Sequence, residues 1–135
     1  MSACAYVGSQ THIYNDTLRN NLTLWNEAIT DTHIKEVLER VNLLSFLSRI
    51  DEQVSDGSFS EGQKQRIGLI RAFLKGSSVV IFDEATANLD HKNATRIEHL
   101  LLSDPNITYI TVTHHLIKEN EPYFDEIIRL GEGTE

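Results

Sequence analysis

The sequence contains a single cysteine, Cys4, so neither a disulfide framework nor a cysteine-built metal cage can form within one chain. A reducing, cytosolic setting is the simplest reading. No apolar run approaches the eighteen or so residues that a membrane span needs. The start, Met1-Ser2-Ala3-Cys4-Ala5, lacks the basic flank and long apolar stretch of a secretory signal. Any membrane is therefore reached through a partner or through polypeptide outside this chain. Basic residues are scarce as well: twelve Lys and Arg stand against twenty Asp and Glu, for a net charge of −8. They are scattered rather than clustered, which disfavours nucleic acid as the main ligand. Internal repeats and low-complexity tracts are also missing. What remains is the composition of an ordinary globular chain, 40% hydrophobic and 24% charged. At 135 residues it makes one domain at most.

Two regions differ in pattern. Up to about Asp56 the sequence is helical with polar connections. Asp31 and Thr32 are candidate caps for a helix whose Ile34, Val37, Leu38 and Val41 repeat at the spacing of one buried face. A second apolar cluster, Leu43 to Ile50, precedes a polar loop at 51–57. The later region alternates. A helix predicted over Glu61–Lys75 ends at Gly76, a usual residue after a helix. Val79-Val80-Ile81-Phe82 reads as a short strand buried on both faces. A helix through Ala94, Ile97 and Leu101 stops before Pro105, and strands are predicted over 107–112 and 126–130. Strand, helix and strand in this order imply an α/β chain with a parallel sheet.

One more absence shapes the chemistry. The phosphate-binding pattern G-x-x-x-x-G-K-[ST] has a near match at Gly57–Lys64, but Gln63 stands where its lysine belongs. No buried strand precedes it either, so the match is a decoy and the chain has no Walker A motif. In another register, Phe59-Ser60-Glu61-Gly62-Gln63 opens a helix. Its plain reading is a capping box in which Ser60 and Gln63 satisfy each other's backbone N–H. Its sharper reading is an anion site of free N–H groups, a hydroxyl and a glycine. Asp83 and Glu84 end a predicted strand, where two solvated acids are common. They also supply what phosphoryl transfer to water needs, a Mg²⁺ ligand in Asp83 and a water-activating base in Glu84. His114 follows the next strand; a lone histidine there is usually structural, yet it leaves the sheet at the same edge as the two acids.

In this order the motifs closely resemble those of ATP-binding cassette (ABC) ATPases. Tyr6-Val7-Gly8-Ser9-Gln10 resembles the strand and glutamine of the Q-loop, and Phe59 to Ile67 the signature motif. Ile81-Phe82-Asp83-Glu84-Ala85-Thr86 resembles Walker B, Ala87-Asn88-Leu89-Asp90 the D-loop, and Thr113-His114 the H-loop. The stretch His12 to Leu22 is similar to the segment after the Q-loop in exporter-type members. The resemblance implies a truncated P-loop-NTPase-like lobe, with a helical signature subdomain at about 11–71 and a Walker B/H-loop sheet lobe at about 72–135. It implies ATP and Mg²⁺ as cofactors, a second ABC ATPase domain in a head-to-tail dimer, and transmembrane domains of an exporter at the cytoplasmic face of the membrane.

By the same resemblance Gln10 senses Mg²⁺ and the attacking water, and couples the site to transport. Ser60, Gly62 and Gln63 belong to the nucleotide-contacting signature, with Ser60 and Gly62 on the γ-phosphate held by the opposite subunit. Asp90 braces the dimer and His114 holds the γ-phosphate. Two departures stand out: Glu61 replaces a usual glycine, so its side chain must turn to solvent, and Asn88 replaces a small apolar residue in the D-loop. Everything before the Q-loop is missing, so the chain reads as a fragment or truncated product that does not hydrolyse ATP alone. The alternative is a non-catalytic interaction module that keeps the dimer face of such a domain. A soluble ATPase of DNA repair is a third reading, disfavoured by the exporter-like segment.

Overall fold

The longest helix shows how local sequence becomes structure. Helix α3 spans Glu61–Lys75. Its N-cap is Ser60, whose hydroxyl accepts from Gln63 N at 3.1 Å while Gln63 Oε1 accepts from Ser60 N at 2.9 Å. Ile67, Leu69, Ile70 and Leu74 make its buried face. Fully burying side chains of this size contributes about 1.5–3 kcal/mol each. Gly76 ends the helix at φ +74°, a left-handed conformation that costs glycine nothing.

The computed structural model describes residues 4–8 and 10–131; Ser9 of the Q-loop-like segment and Met1 to Ala3 lie outside the described residues. Strand β1 (Cys4–Val7) comes first. A two-residue strand β2 (Asp16–Thr17), helix α1 (Leu18–Thr23) and helix α2 (Asp31–Arg40) follow. A 3₁₀ turn at Leu44–Arg49 and strand β3 (Gln53–Val54), antiparallel to β2, lead into α3. Beyond α3 come strand β4 (Val79–Asp83), helix α4 (His91–Ser103), strand β5 (Thr108–Val112) and a 3₁₀ segment at Lys118–Tyr123.

The main sheet is parallel, in the order β1-β4-β5. Ala5, Val7, Val80 and Phe82 point into one core, which continues through α3 and α4 to Leu18, Leu22, Ile34, Leu38 and Phe46. The opposite face is uncovered among the described residues. Tyr6 is 65% exposed, Ile110 47% and Val112 56%. β4 alternates between buried and half-buried positions instead of being enclosed on both sides as its apolar run implied. Four consecutive apolar residues cannot reveal whether a second layer exists. The predicted strand at 126–130 is irregular chain, with Ile128 and Leu130 exposed. Its apolar residues pair with none of the strands among the described residues. The cap of α2 is Thr30, not Asp31 or Thr32; its hydroxyl accepts from His33 N at 3.1 Å. Thr30, Asp31 and Thr32 are all capping residue types, and the backbone turns into the helix after the first of them.

Candidate functional site

The carboxyl ends of β4 and β5 bring the acids and the histidine together. Register pairs Asp83 with Val112, and Glu84 N donates to Val112 O at 3.0 Å, so the chain turns off the sheet beside β5. Glu84 takes φ +56°, a region that non-glycine residues enter at a cost of roughly 1–3 kcal/mol. That turn sets its carboxylate under the next loop. His114 N donates to Glu84 Oε2 at 3.0 Å, and the imidazole Nε2 lies 3.6 Å from the same oxygen. The His114 side chain is 87% exposed, and the Glu84 side chain 30%. Glu84 Oε1 has no hydrogen-bond partner among the described residues, and the imidazole extends into solvent.

Asp83 is half-buried and receives a 2.5 Å hydrogen bond from the Tyr6 hydroxyl. That bond, chiefly, holds the Tyr6 phenol above its ordinary pKa. The second Asp83 oxygen has no protein partner among the described residues. Its chemistry fits Mg²⁺, a hard cation bound through one or two carboxylates, with water and phosphate oxygens completing the shell. Among the described residues no cluster of three or more His, Cys, Asp or Glu is present that could hold a metal by itself. A cation here would therefore keep water as its further ligands beside Asp83, with phosphate oxygens replacing some of it when nucleotide is present.

Ser60, Gly62 and Gln63 sit together at the start of α3, but each also has a structural role. Ser60 and Gln63 form the reciprocal cap. Gly62 lies against the D-loop-like segment: a Cβ there would meet Asn88 O at 2.8 Å. Asn88 N in turn donates to Gln65 Oε1 at 3.1 Å. Asn88 thus meets α3 through its backbone, N hydrogen-bonded to Gln65 and O packed close against Gly62. Glu61 is exposed and pairs with Lys64 at 2.8 Å, which turns its charge outward. Asp90 caps α4, accepting from Asn93 N at 2.8 Å and Asn93 Nδ2 at 2.9 Å; these bonds lower its pKa.

Gln10 is exposed and lies apart from this cluster, in a groove of about 280 Å³ beside β1 and α3 that Tyr6, Thr11, Gly68 and Arg71 also line. Tyr6 links the two, because its hydroxyl reaches Asp83. The groove's wall is held by a buried network absent from the sequence reading. Arg71 Nε donates to Asn21 O at 2.7 Å, and Asn21 Nδ2 donates to the carbonyls of Tyr14 and Thr17. Gln65 was also missed, although it shares the buried stripe of Leu69 and Ala72 at i, i+4 and i+7. A glutamine on an apolar stripe is the signal that finds it.

A family model described as "ABC transporter" matches residues 3–87. The chain belongs to the ABC transporter family. A probable ABC transporter ATP-binding/permease protein of Haemophilus influenzae is 33% identical over 135 residues, covering 96% of this chain and 24% of that protein. An ATP-dependent lipid A-core flippase of Francisella novicida is 31% identical over 123 residues, 85% of this chain and 21% of the flippase. A solved bacterial Atm1-family ABC exporter with ATP bound superposes with a TM-score of 0.77 at 22% identity, over 88% of this chain and 22% of that one. This last likeness shows the fold. The ABC chain described here thus spans between a fifth and a quarter of the length of these relatives. Among its described residues, no helix is long and apolar enough to cross a membrane.

Proposed function

We propose that this ABC chain is part of the ATP-hydrolysing domain of an exporter, in which Mg²⁺-dependent ATP hydrolysis drives transmembrane transport. The observation that carries the reading is the junction of β4 and β5. There Asp83, Glu84 and His114 meet at the carboxyl ends of parallel strands, where ligands of such sheets bind. Glu84 is the base: His114 N holds Oε2, and Oε1 takes the proton of the attacking water. Asp83 holds Mg²⁺, which when bound neutralises charge on the phosphates. The His114 imidazole, close to Glu84 and open to solvent, contacts the γ-phosphate. Gln10 reports on the site from the groove beside Tyr6, on the side where a transmembrane partner docks.

The start of α3 serves a second subunit. Ser60, Gly62 and Gln63 face the γ-phosphate of ATP bound by the opposite domain of a head-to-tail dimer, and Asp90 braces that contact. The organisation into a helical part at about 11–71 and a sheet part at about 72–135 belongs to the same proposal, as does a place at the cytoplasmic face of the membrane.

The test places this chain in a polypeptide that also carries a phosphate-binding loop. Glu84→Gln should lower steady-state hydrolysis by about two to four orders of magnitude, the usual worth of a general base. Nucleotide affinity should stay, since the amide keeps the shape and loses only the proton acceptor. Turnover near the unsubstituted rate would remove Glu84 from the mechanism.

A further inference from the structure

The uncovered sheet face carries one polar contact that the motif reading did not use. Tyr6 pairs in register with Ile81, and Asp83 lies two residues further along β4 on the same face. The Tyr6 hydroxyl therefore spans from β1 to the end of β4, where it donates to Asp83 Oδ2 at 2.5 Å. Bonds this short between a hydroxyl and a carboxylate are charge-assisted, about twice as strong as neutral ones. Both partners stand on strands whose register is set by the pairs from Cys4↔Val79 to Val7↔Phe82, so the sheet and not a loop sets the distance.

We infer that Tyr6 is a positioning residue for the metal carboxylate: its hydroxyl holds Asp83 Oδ2 and leaves Oδ1 for a divalent cation. This rests on the reading of Asp83 as the Mg²⁺ ligand. A carboxylate offers about four lone-pair sites, so one donated hydrogen bond orients the group without consuming it. An unrestrained Asp83 at the end of β4 would rotate about its side-chain bonds and lose that freedom on binding metal. The phenol removes the freedom beforehand. Carboxylates that bind metals are commonly held in this way, and losing the holding group lowers metal affinity by about 10–100-fold.

Phenylalanine at position 6 keeps the ring on the exposed face and removes only the O–H, so the fold is not at risk. The probe is Mn²⁺ alone, titrated into the full 135-residue chain, with the free ion read from its electron paramagnetic resonance signal. Asp83→Asn should abolish the site. Tyr6→Phe should weaken Mn²⁺ binding by about tenfold or more, with far-ultraviolet circular dichroism of the folded chain unchanged. A merely structural Tyr6 would move the midpoint and leave Mn²⁺ affinity alone. Equal or tighter binding by Tyr6→Phe, with Asp83→Asn still inactive, overturns the role of Tyr6 and spares the Asp83 reading. Mn²⁺ binding that ignores Asp83→Asn, or no binding at all, removes the Asp83 reading and this inference with it.

Discussion

Gly62 and Ser60 each carry two explanations, and substitutions separate them. Gly62 stands in the first turn of α3, where alanine is normally better by about 1 kcal/mol. Here the added methyl would sit 2.8 Å from the Asn88 carbonyl, a backbone atom that cannot swing aside. Overpacking of this kind costs about 1–3 kcal/mol, so the clash wins. Gly62→Ala should lower the urea unfolding midpoint, whereas Gly57→Ala, with open space around its Cβ, should leave it nearly unchanged. A stabilised Gly62→Ala chain would show that the D-loop segment yields. Ser60→Ala removes a cap, at about 1 kcal/mol. If Ser60 also acts in trans, a mixed dimer of full domains with one Ser60→Ala subunit should lose activity at the ATP site of the other subunit. Damage confined to the substituted subunit's own site would leave only the capping role.

Helix α4, strand β5 and the 3₁₀ segment after it are joined by a buried polar cluster. Glu98 is 4% exposed, and it accepts from Tyr109 OH at 2.7 Å and from Asn120 Nδ2 at 3.1 Å. Asn120 Nδ2 also donates to Thr95 O, so the segment is tied to α4 by the same side chain. Burial, with the Glu98 carboxylate beside it, pushes the Tyr109 phenol well above its ordinary value of 10.0. The sign follows from linkage. A raised folded pKa stabilises fully below the unfolded value and loses that contribution as pH rises beyond it. Stability should therefore decline above about pH 10, in chemical unfolding followed against pH. Tyr109→Phe should be less stable at neutral pH, because Glu98 loses a donor, and should show a shallower alkaline decline. An identical slope in both chains would place the alkaline loss elsewhere, for instance in the lysines.

At the scale of the molecule, charge and the uncovered face pull in opposite directions. A net charge of −8 keeps copies apart, but β5 pairs only with β4 and leaves its outer edge free among the described residues. Open strand edges next to apolar surface recruit other chains. Ile110 and Val112 lie on this strand and Tyr6 on the same exposed face, so the chain by itself should self-associate as concentration rises. Light scattering should show a mass above that of the 15.3 kDa monomer. ATP binding should be weak as well. A Walker A loop gives the phosphates several N–H donors and a lysine, each charge-assisted bond contributing about 1.5–3 kcal/mol. Losing three removes more than about 4 kcal/mol, roughly a thousandfold in affinity. Isothermal titration with Mg-ATP checks this, and micromolar binding by a clean monomer would falsify it.

Much of the architecture was legible without coordinates, because it depends on neighbours a few residues apart. The α3 boundaries follow from the Ser60–Gln63 box and Gly76, and β4 from its run of β-branched residues. Motif order alone placed Asp83, Glu84 and His114 at one sheet edge. What no local pattern carries is which groups meet across the sheet. The Tyr6–Asp83 bond spans 77 residues, Arg71–Asn21 spans 50 and the Asn88–Gln65 bond 23. Only packing decides such pairs, because strand order and register determine which side chains lie within a few ångströms. The same holds for the one-sided burial of β4 and the missing strand at 126–130. An apolar residue states a preference for leaving water, and the tertiary structure decides whether a covering layer or a pairing edge exists to satisfy it.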